Sequence, residues 1–132
     1  MILQLFWTYI KIGTFTIGGG YAMLPLIEQE VVDKHHWLDG EEYANMIALA
    51  QAAPGLIAVN SAIFIGHRLA GWKGVLACVL GAVLPSIIII LLIAMFFRDI
   101  KDNPTIEAIF KGVRPAVVAL IAATVIRLAT KI

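Results

Sequence analysis

Apolar and polar positions fall in long blocks along this chain. Four apolar stretches run from about Ile2 to Ile27, Tyr43 to Ile65, Val75 to Phe97 and Ala108 to Ile126, with three polar stretches between them. Each approaches the roughly 20 residues a helix needs to cross the hydrocarbon core of a bilayer. The polar stretches carry helix-end chemistry. Asp39, with Glu42 three residues on, reads as an acidic capping box that starts a helix near Gly40. Asn103 before Pro104 places a capping side chain ahead of a proline at the first helical position. Gly71 and Gly74 flank Trp72 and Lys73 in a tight turn, with Trp72 suited to the headgroup level. Every stretch reads as helix or helix-joining loop, so the fold class is all-α.

The third stretch is the smoothest, and its Pro85 reads as a kink. Ala77 and Gly81, four apart, read as a packing surface. The first two stretches are interrupted, at Gly18-Gly19-Gly20 and at Pro54-Gly55. Each glycine costs about 0.8–1 kcal/mol relative to alanine inside a helix. Proline cannot continue the hydrogen-bond ladder. Unwound backbone persists in a membrane only where it lines a cavity or is buried in protein. The pattern predicts two breaks, with half-helices restarting over Tyr21–Glu28 and from Leu56-Ile57-Ala58. Pro25 near the first restart deprives the Tyr21 carbonyl of its usual donor. Each interrupted stretch is either a broken crossing or a hairpin that enters and leaves on one side.

Composition narrows the class. The 132 residues are 61% hydrophobic and 14% charged, with a mean hydropathy of +0.91. Soluble domains carry about 45–50% apolar and about 25% charged residues. A disordered chain, a disulfide scaffold and an ordinary cytosolic domain are excluded. A polytopic integral membrane protein remains, with about four crossings and five at most. Lone Cys78 has no partner for an internal bridge or a thiolate metal site. Met1 to Ile12 carries only Lys11, and the apolar run continues to Ile27. A removable leader has a basic start and a short apolar core, so the N-terminus is read as mature sequence and residues 1–132 as a single membrane domain.

Net charge is +1 with no basic block, so nucleic acid is not an expected partner. Glu28, Glu30, Asp33, Asp39, Glu41 and Glu42 face one base, Lys34, across the first polar stretch. The pairs Arg68 and Lys73, Arg98 and Lys101, and Arg127 and Lys131 alternate sides if all four stretches cross. Counting positive charges therefore assigns no orientation.

The chemistry points to an anion. A half-helix N-terminus has unpaired N–H groups and about half a positive charge. Two such ends, with donors from Gln51, Asn60 and Ser61, would hold an oxyanion without a buried lysine. Discontinuous membrane helices mark transporter binding sites. Arg114 reaches either a central anion or the interface, and Lys111 reads as snorkelling. Lys11 faces either a cavity or the interface. His67 and Arg68 end the second stretch, where they guard an entry path or anchor at the interface. His35 and His36 read as part of a solvated loop, since adjacent histidines project in different directions and no closed ligand set accompanies them. No Ser–His–Asp or Cys–His arrangement appears. Neither catalysis, a metal nor a cofactor is expected.

An ordered series of motifs follows. Phe15-Thr16-Ile17-Gly18-Gly19-Gly20-Tyr21-Ala22-Met23-Leu24-Pro25 precedes Glu30-Val31-Val32 and Trp37-Leu38. Then come Ala50-Gln51-Ala52-Ala53-Pro54-Gly55, Asn60-Ser61-Ala62, Gly66, Gly71-Trp72-Lys73-Gly74 and Leu84-Pro85-Ser86. Over about residues 5–95 the chain resembles the chromate ion transporter family, in its short, half-size form. The resemblance implies an inner-membrane, multi-pass transporter subunit moving chromate or a related tetrahedral oxyanion such as sulfate by alternating access. It implies a dimer, either of identical chains or of paired half-size homologues in opposite orientations. The family's glycine motif falls on Gly18, Gly19 and Gly20, and its Pro-Gly motif on Pro54 and Gly55. These would frame the substrate, with hydrogen bonds from Gln51, Asn60 and Ser61 and positive charge from Arg68 or Arg114. The chain departs from the pattern at Leu56, where members often carry a second proline, and it stops soon after the fourth apolar stretch. Gly20 stands where many long members have proline. A passive anion channel and a non-transporting membrane partner subunit are the alternative readings.

Overall fold

The computed structural model describes residues 1–130; Lys131, counted above with Arg127, lies outside them. The described residues form helices and their connections. These are α1 (Ile2–Phe15), α2 (Gly20–Glu28), a π-helical segment (Gln29–Lys34), α3 (Gly40–Ala52), α4 (Ile57–Ile100) and α5 (Pro104–Ala129). One compact unit covers Met1–Ile90 and a second begins at Leu91.

In the first unit both interrupted stretches are helical hairpins. α1 ends at Phe15, and Gly18 and Gly19 take φ values of 127° and 94° that side-chain-bearing residues rarely adopt. Gly20 already belongs to α2, so the break occupies Thr16 to Gly19 and starts earlier than the glycine triplet suggests. Lys11 in α1 donates to Glu30, beyond the end of α2, at 2.6 Å. Residues so far apart on either side of the break meet only if the two helices fold back on each other. The second break runs from Ala53 to Leu56, with Gly55 at φ 130°. Asn60 Nδ2 donates to the carbonyls of Ala50 and Ala53, each at 3.1 Å. Farther along, Arg68 pairs with Glu42. These contacts fold α3 against the start of α4.

α4 turns as well. Ala70 (φ −147°) and Gly71 (φ 60°, ψ −149°) leave the helix and divide it into arms of residues 57–69 and 72–100. The arms approach closely: a Cβ on Gly66 would lie 2.7 Å from the Gly74 carbonyl oxygen, and one on Gly74 would collide with that of Gly66. The expected turn is thus centred on Ala70 and Gly71, and Gly74 is a packing residue. α1 lies on the second arm with the same intimacy. A Cβ on Gly81 would come within 2.6 Å of the Phe6 carbonyl oxygen, and one on Gly13 within 2.8 Å of that of Ala82. In lipid, helix association depends on such close van der Waals contact, because tails are as apolar as the side chains. Leu5, Tyr9, Ile27, Val31, Ile65 and Cys78 fill the interior between these elements.

Asp39 Oδ1 accepts the Glu42 N–H at 2.7 Å, starting α3 as expected. The reciprocal half of the capping box is absent, because the Glu42 carboxylate turns to Arg68. Asn103 Oδ1 accepts the Thr105 N–H at 3.0 Å, with Pro104 opening α5. The first polar stretch is less solvated than expected, since Glu30, Val31 and Leu38 are buried in it. No residue of α5 is buried, and every residue from Ile87 to Phe97 is exposed. α4 and α5 are long and apolar enough to cross a membrane. Lys111 pairs with Glu107 at 2.8 Å along α5.

Candidate functional site

The two hairpin tips meet. A Cβ on Gly20 would lie 3.5 Å from the Ala58 nitrogen and 3.6 Å from the Ile57 Cβ. Between the tips is an open cavity of about 450 Å³. Gly19, Gly20 and Tyr21 line it from the first tip, and Gly55, Leu56, Ile57 and Ala58 from the second. Gly13 of α1 and Thr16 just beyond its end close it on one side, and Ala82 and Ser86 from the second arm of α4. Ser86 stands fourteen residues from either end of that arm.

Two helices, α2 and α4, begin at this cavity. Their preceding residues, Gly19 and Leu56, carry no side-chain oxygen to act as a cap. Ala22 N–H turns back to the Gly19 carbonyl at 3.1 Å, and Val59 and Asn60 N–H to that of Leu56 at 3.0 and 2.9 Å. The earlier N–H groups, on Gly20, Tyr21, Ile57 and Ala58, precede any carbonyl that could receive them within their helices. Among the described residues, neither a carboxylate nor a cationic side chain lines the cavity. Its field therefore comes from two helix N-termini, each equivalent to about half a positive charge. Tyr21 and Ser86 add hydroxyls to the lining, while Thr16 Oγ1 already donates to the Ile12 carbonyl at 2.6 Å.

The residues singled out in the sequence separate into three groups. Gly19, Gly20 and Gly55 line the cavity, with Gly18 and Pro54 in the adjoining turns. Asn60 and Ser61 stand just behind it and are buried. Both Asn60 bonds go to the end of α3, and Ser61 Oγ donates to the Ala58 carbonyl at 3.0 Å, so these side chains shape the second tip. Gln51 is exposed outside the lining, Arg68 pairs with Glu42 at the far end of the second hairpin, and Arg114 lies on α5 in the second unit. The sequence reading missed Gly13, Thr16, Tyr21 and Ser86. Of these, Ser86 carried a signal, as the one hydroxyl in an otherwise apolar run.

Lys11 faces away from this cavity. At about 100° per residue it stands some 200° around α1 from Gly13. Its partner Glu30 also accepts from Lys34 at 3.2 Å, and His35 Nε2 lies 3.6 Å away. Burial pushes the Glu30 carboxyl upward, but the hydrogen bonds and charges of Lys11 and Lys34 outweigh it and hold the group below the usual carboxylate range.

Comparison with known proteins identifies the family. Residues 3–132 match the family model described as Chromate transporter. An uncharacterized transporter of Bacillus subtilis is 30% identical over 118 residues, covering 89% of this chain and 66% of that protein. A chromate transport protein of Cupriavidus metallidurans is 31% identical over 123 residues, 93% of this chain and 30% of its own length. One of Pseudomonas aeruginosa is 30% identical over 126 residues, 95% and 30% respectively. The chain thus spans between about a third and two thirds of these relatives. No solved structure matches it. With its glycine motif and Pro-Gly motif at the two hairpin tips, this membrane protein belongs to the chromate transporter family.

Proposed function

We propose that the chain carries a tetrahedral oxyanion, chromate or sulfate, across the membrane, and that the anion is held where the two hairpin tips meet. The observation that supports this most is the pair of uncapped helix N-termini facing one cavity free of carboxylates. Backbone N–H groups favour a compact dianion, each helix end contributing about 0.3–2 kcal/mol depending on burial. α1, α2, α3 and residues 57–69 hold between 9 and 14 residues each. At 1.5 Å per residue none reaches the ~30 Å of a hydrocarbon core. The second arm of α4, residues 72–100, does, and it carries Ser86 at its midpoint. The hairpins therefore act as re-entrant elements beside that crossing and place the anion near mid-depth. Asn60 and Ser61 set the shape of the second tip, with Pro54 in its turn and Gly18 in the turn of the first. Alternating access follows when one hairpin tip moves relative to the other. The greater length of the Cupriavidus and Pseudomonas transporters, about three times that of this chain, supports a working unit of more than one such module.

Purified protein reconstituted into vesicles tests this reading. Chromate uptake is expected, in competition with sulfate, and a second-ion gradient is expected to drive accumulation, which a channel cannot support. A Leu56→Asp variant would cap α4 with a carboxylate inside the cavity, and uptake should fall about 100-fold. Undiminished flux in that variant would refute the site, and absence of flux of either anion would refute the substrate class.

A further inference from the structure

A second cavity, of about 240 Å³, opens on the other face of α1. Gln4, Trp7, Thr8 and Lys11 line it from the helix, and Glu30, Lys34 and His35 from the π-helical segment. It shares no lining residue with the cavity between the hairpin tips. π-helical turns often accompany functional sites, and this one delivers Glu30, Lys34 and His35 to a single wall.

Two observations mark the cavity as a ligand site. The first concerns charge. Glu30 is buried, and its carboxylate is occupied by Lys11 at 2.6 Å, Lys34 at 3.2 Å and His35 at 3.6 Å. Each ammonium has three donors, and both lysine side chains are about half exposed, so donors remain free on the cavity side. Two fixed positive charges face one negative. Glu28 and Asp33, the acids nearest Glu30 in sequence, are exposed and outside the lining. The second observation is Thr8. It is only 6% exposed and lines the cavity, yet among the described residues its hydroxyl has no hydrogen-bond partner. Thr14 and Thr16, nearby in sequence, donate to the carbonyls of Ile10 and Ile12, four residues back. A ligand in the cavity would give this hydroxyl the partner that Thr14 and Thr16 find in the helix backbone.

We propose that this cavity is a second oxyanion subsite, in which Lys11, Lys34 and the Thr8 hydroxyl bind a phosphate- or sulfate-type group. Glu30 positions the two ammonium groups and takes no part in binding. The group is supplied either as a free dianion approaching the membrane or as the phosphate of an anionic lipid headgroup.

The test uses the full chain in nanodiscs, with Trp37→Phe and Trp72→Phe so that Trp7, in the cavity wall, is the sole indole. In phosphatidylcholine discs at constant ionic strength, sodium sulfate should change Trp7 emission saturably. Thr8→Val removes the hydroxyl, keeps the volume and leaves the Lys11–Glu30 pair intact; it should weaken the apparent affinity about fivefold. Lys34→Gln should weaken it about tenfold, with recovery in Lys34→Arg. Phosphatidylglycerol discs separate the sources. Loss of the sulfate response there assigns the site to a headgroup phosphate, and an unchanged response assigns it to the free anion. No saturable change in either disc, or one indifferent to both Thr8→Val and Lys34→Gln, overturns the proposal. So does a change abolished by Leu56→Asp, since the signal would then belong to the cavity between the tips. A Trp7 response that survives in a protein without transport would leave this subsite standing while the transport reading fell.

Discussion

The N-termini of α2, α3, α4 and α5 fall into two kinds. α3 and α5 begin behind Asp39 and Asn103, whose side chains accept N–H groups of Glu42 and Thr105. α2 and α4 begin behind Gly19 and Leu56, which offer no side-chain acceptor, and both open onto the same cavity. A cap contributes about 1 kcal/mol, so leaving both tips without one forgoes stability at the place where an anion is needed. The contrast teaches that helix ends in this fold are differentiated by task. Capped ends terminate helices, and uncapped ends keep their donors for a guest.

Substitutions can break or sharpen that contrast. Leu56→Asp converts an open end into a capped one and brings negative charge to the cavity. Its expected effect is the largest, an approximately 100-fold loss of sulfate affinity measured by calorimetry, with thermal stability maintained or raised. Asn60→Leu removes both bonds to Ala50 and Ala53 and leaves those carbonyls unserved. Unfolding measurements should show a cost of about 2–3 kcal/mol, with anion affinity falling because the second tip loosens. Asp39→Ala acts at a capped end remote from the cavity lining. It should cost about 1 kcal/mol of stability and leave sulfate affinity unchanged. Tyr9→Phe is the smallest. The Tyr9 hydroxyl is buried and unpartnered among the described residues, so its removal should be neutral or stabilising by up to about 1 kcal/mol.

Acid pH provides a different comparison, between the Glu30 cluster and the ion-free cavity. The Glu30 pKa is depressed in the folded state, so the ionised carboxylate contributes stability above its unfolded-state value, near 4.5. That contribution is lost as pH falls through the lower folded-state value. Unfolding midpoints should therefore hold from neutral pH to about 5 and drop below it, and Glu30→Gln should remove that drop.

The sequence made the helix ends legible because their signals are local. Asp39, Asn103 and Pro104 announce caps within three residues, and Gly18, Gly19, Pro54 and Gly55 announce breaks by their backbone cost. What stayed open was whether the broken stretches run on or fold back. That choice depends on Lys11 meeting Glu30, and Asn60 meeting Ala50 and Ala53, contacts made only once the chain has reversed. The close packing of Gly66 against Gly74 likewise rests on backbone approach, which residue types alone do not encode. The same limit applied to the cavity. Asn60 and Ser61 were legible as polar residues near a break, but their partners are carbonyls of the turn. The lining instead includes Tyr21 and Ser86, brought together from two separate helices.

The most direct measurement is amide NMR of the protein labelled with nitrogen-15 at Gly, Tyr, Ile and Ala, titrated with sulfate in nanodiscs. Saturable downfield shifts are expected at Gly20, Tyr21, Ile57 and Ala58, with the helix-start amides behind Asp39 and Asn103 unmoved. Unchanged resonances at those four positions under saturating sulfate, or equal movement at the capped ends, would contradict an anion held by open helix termini.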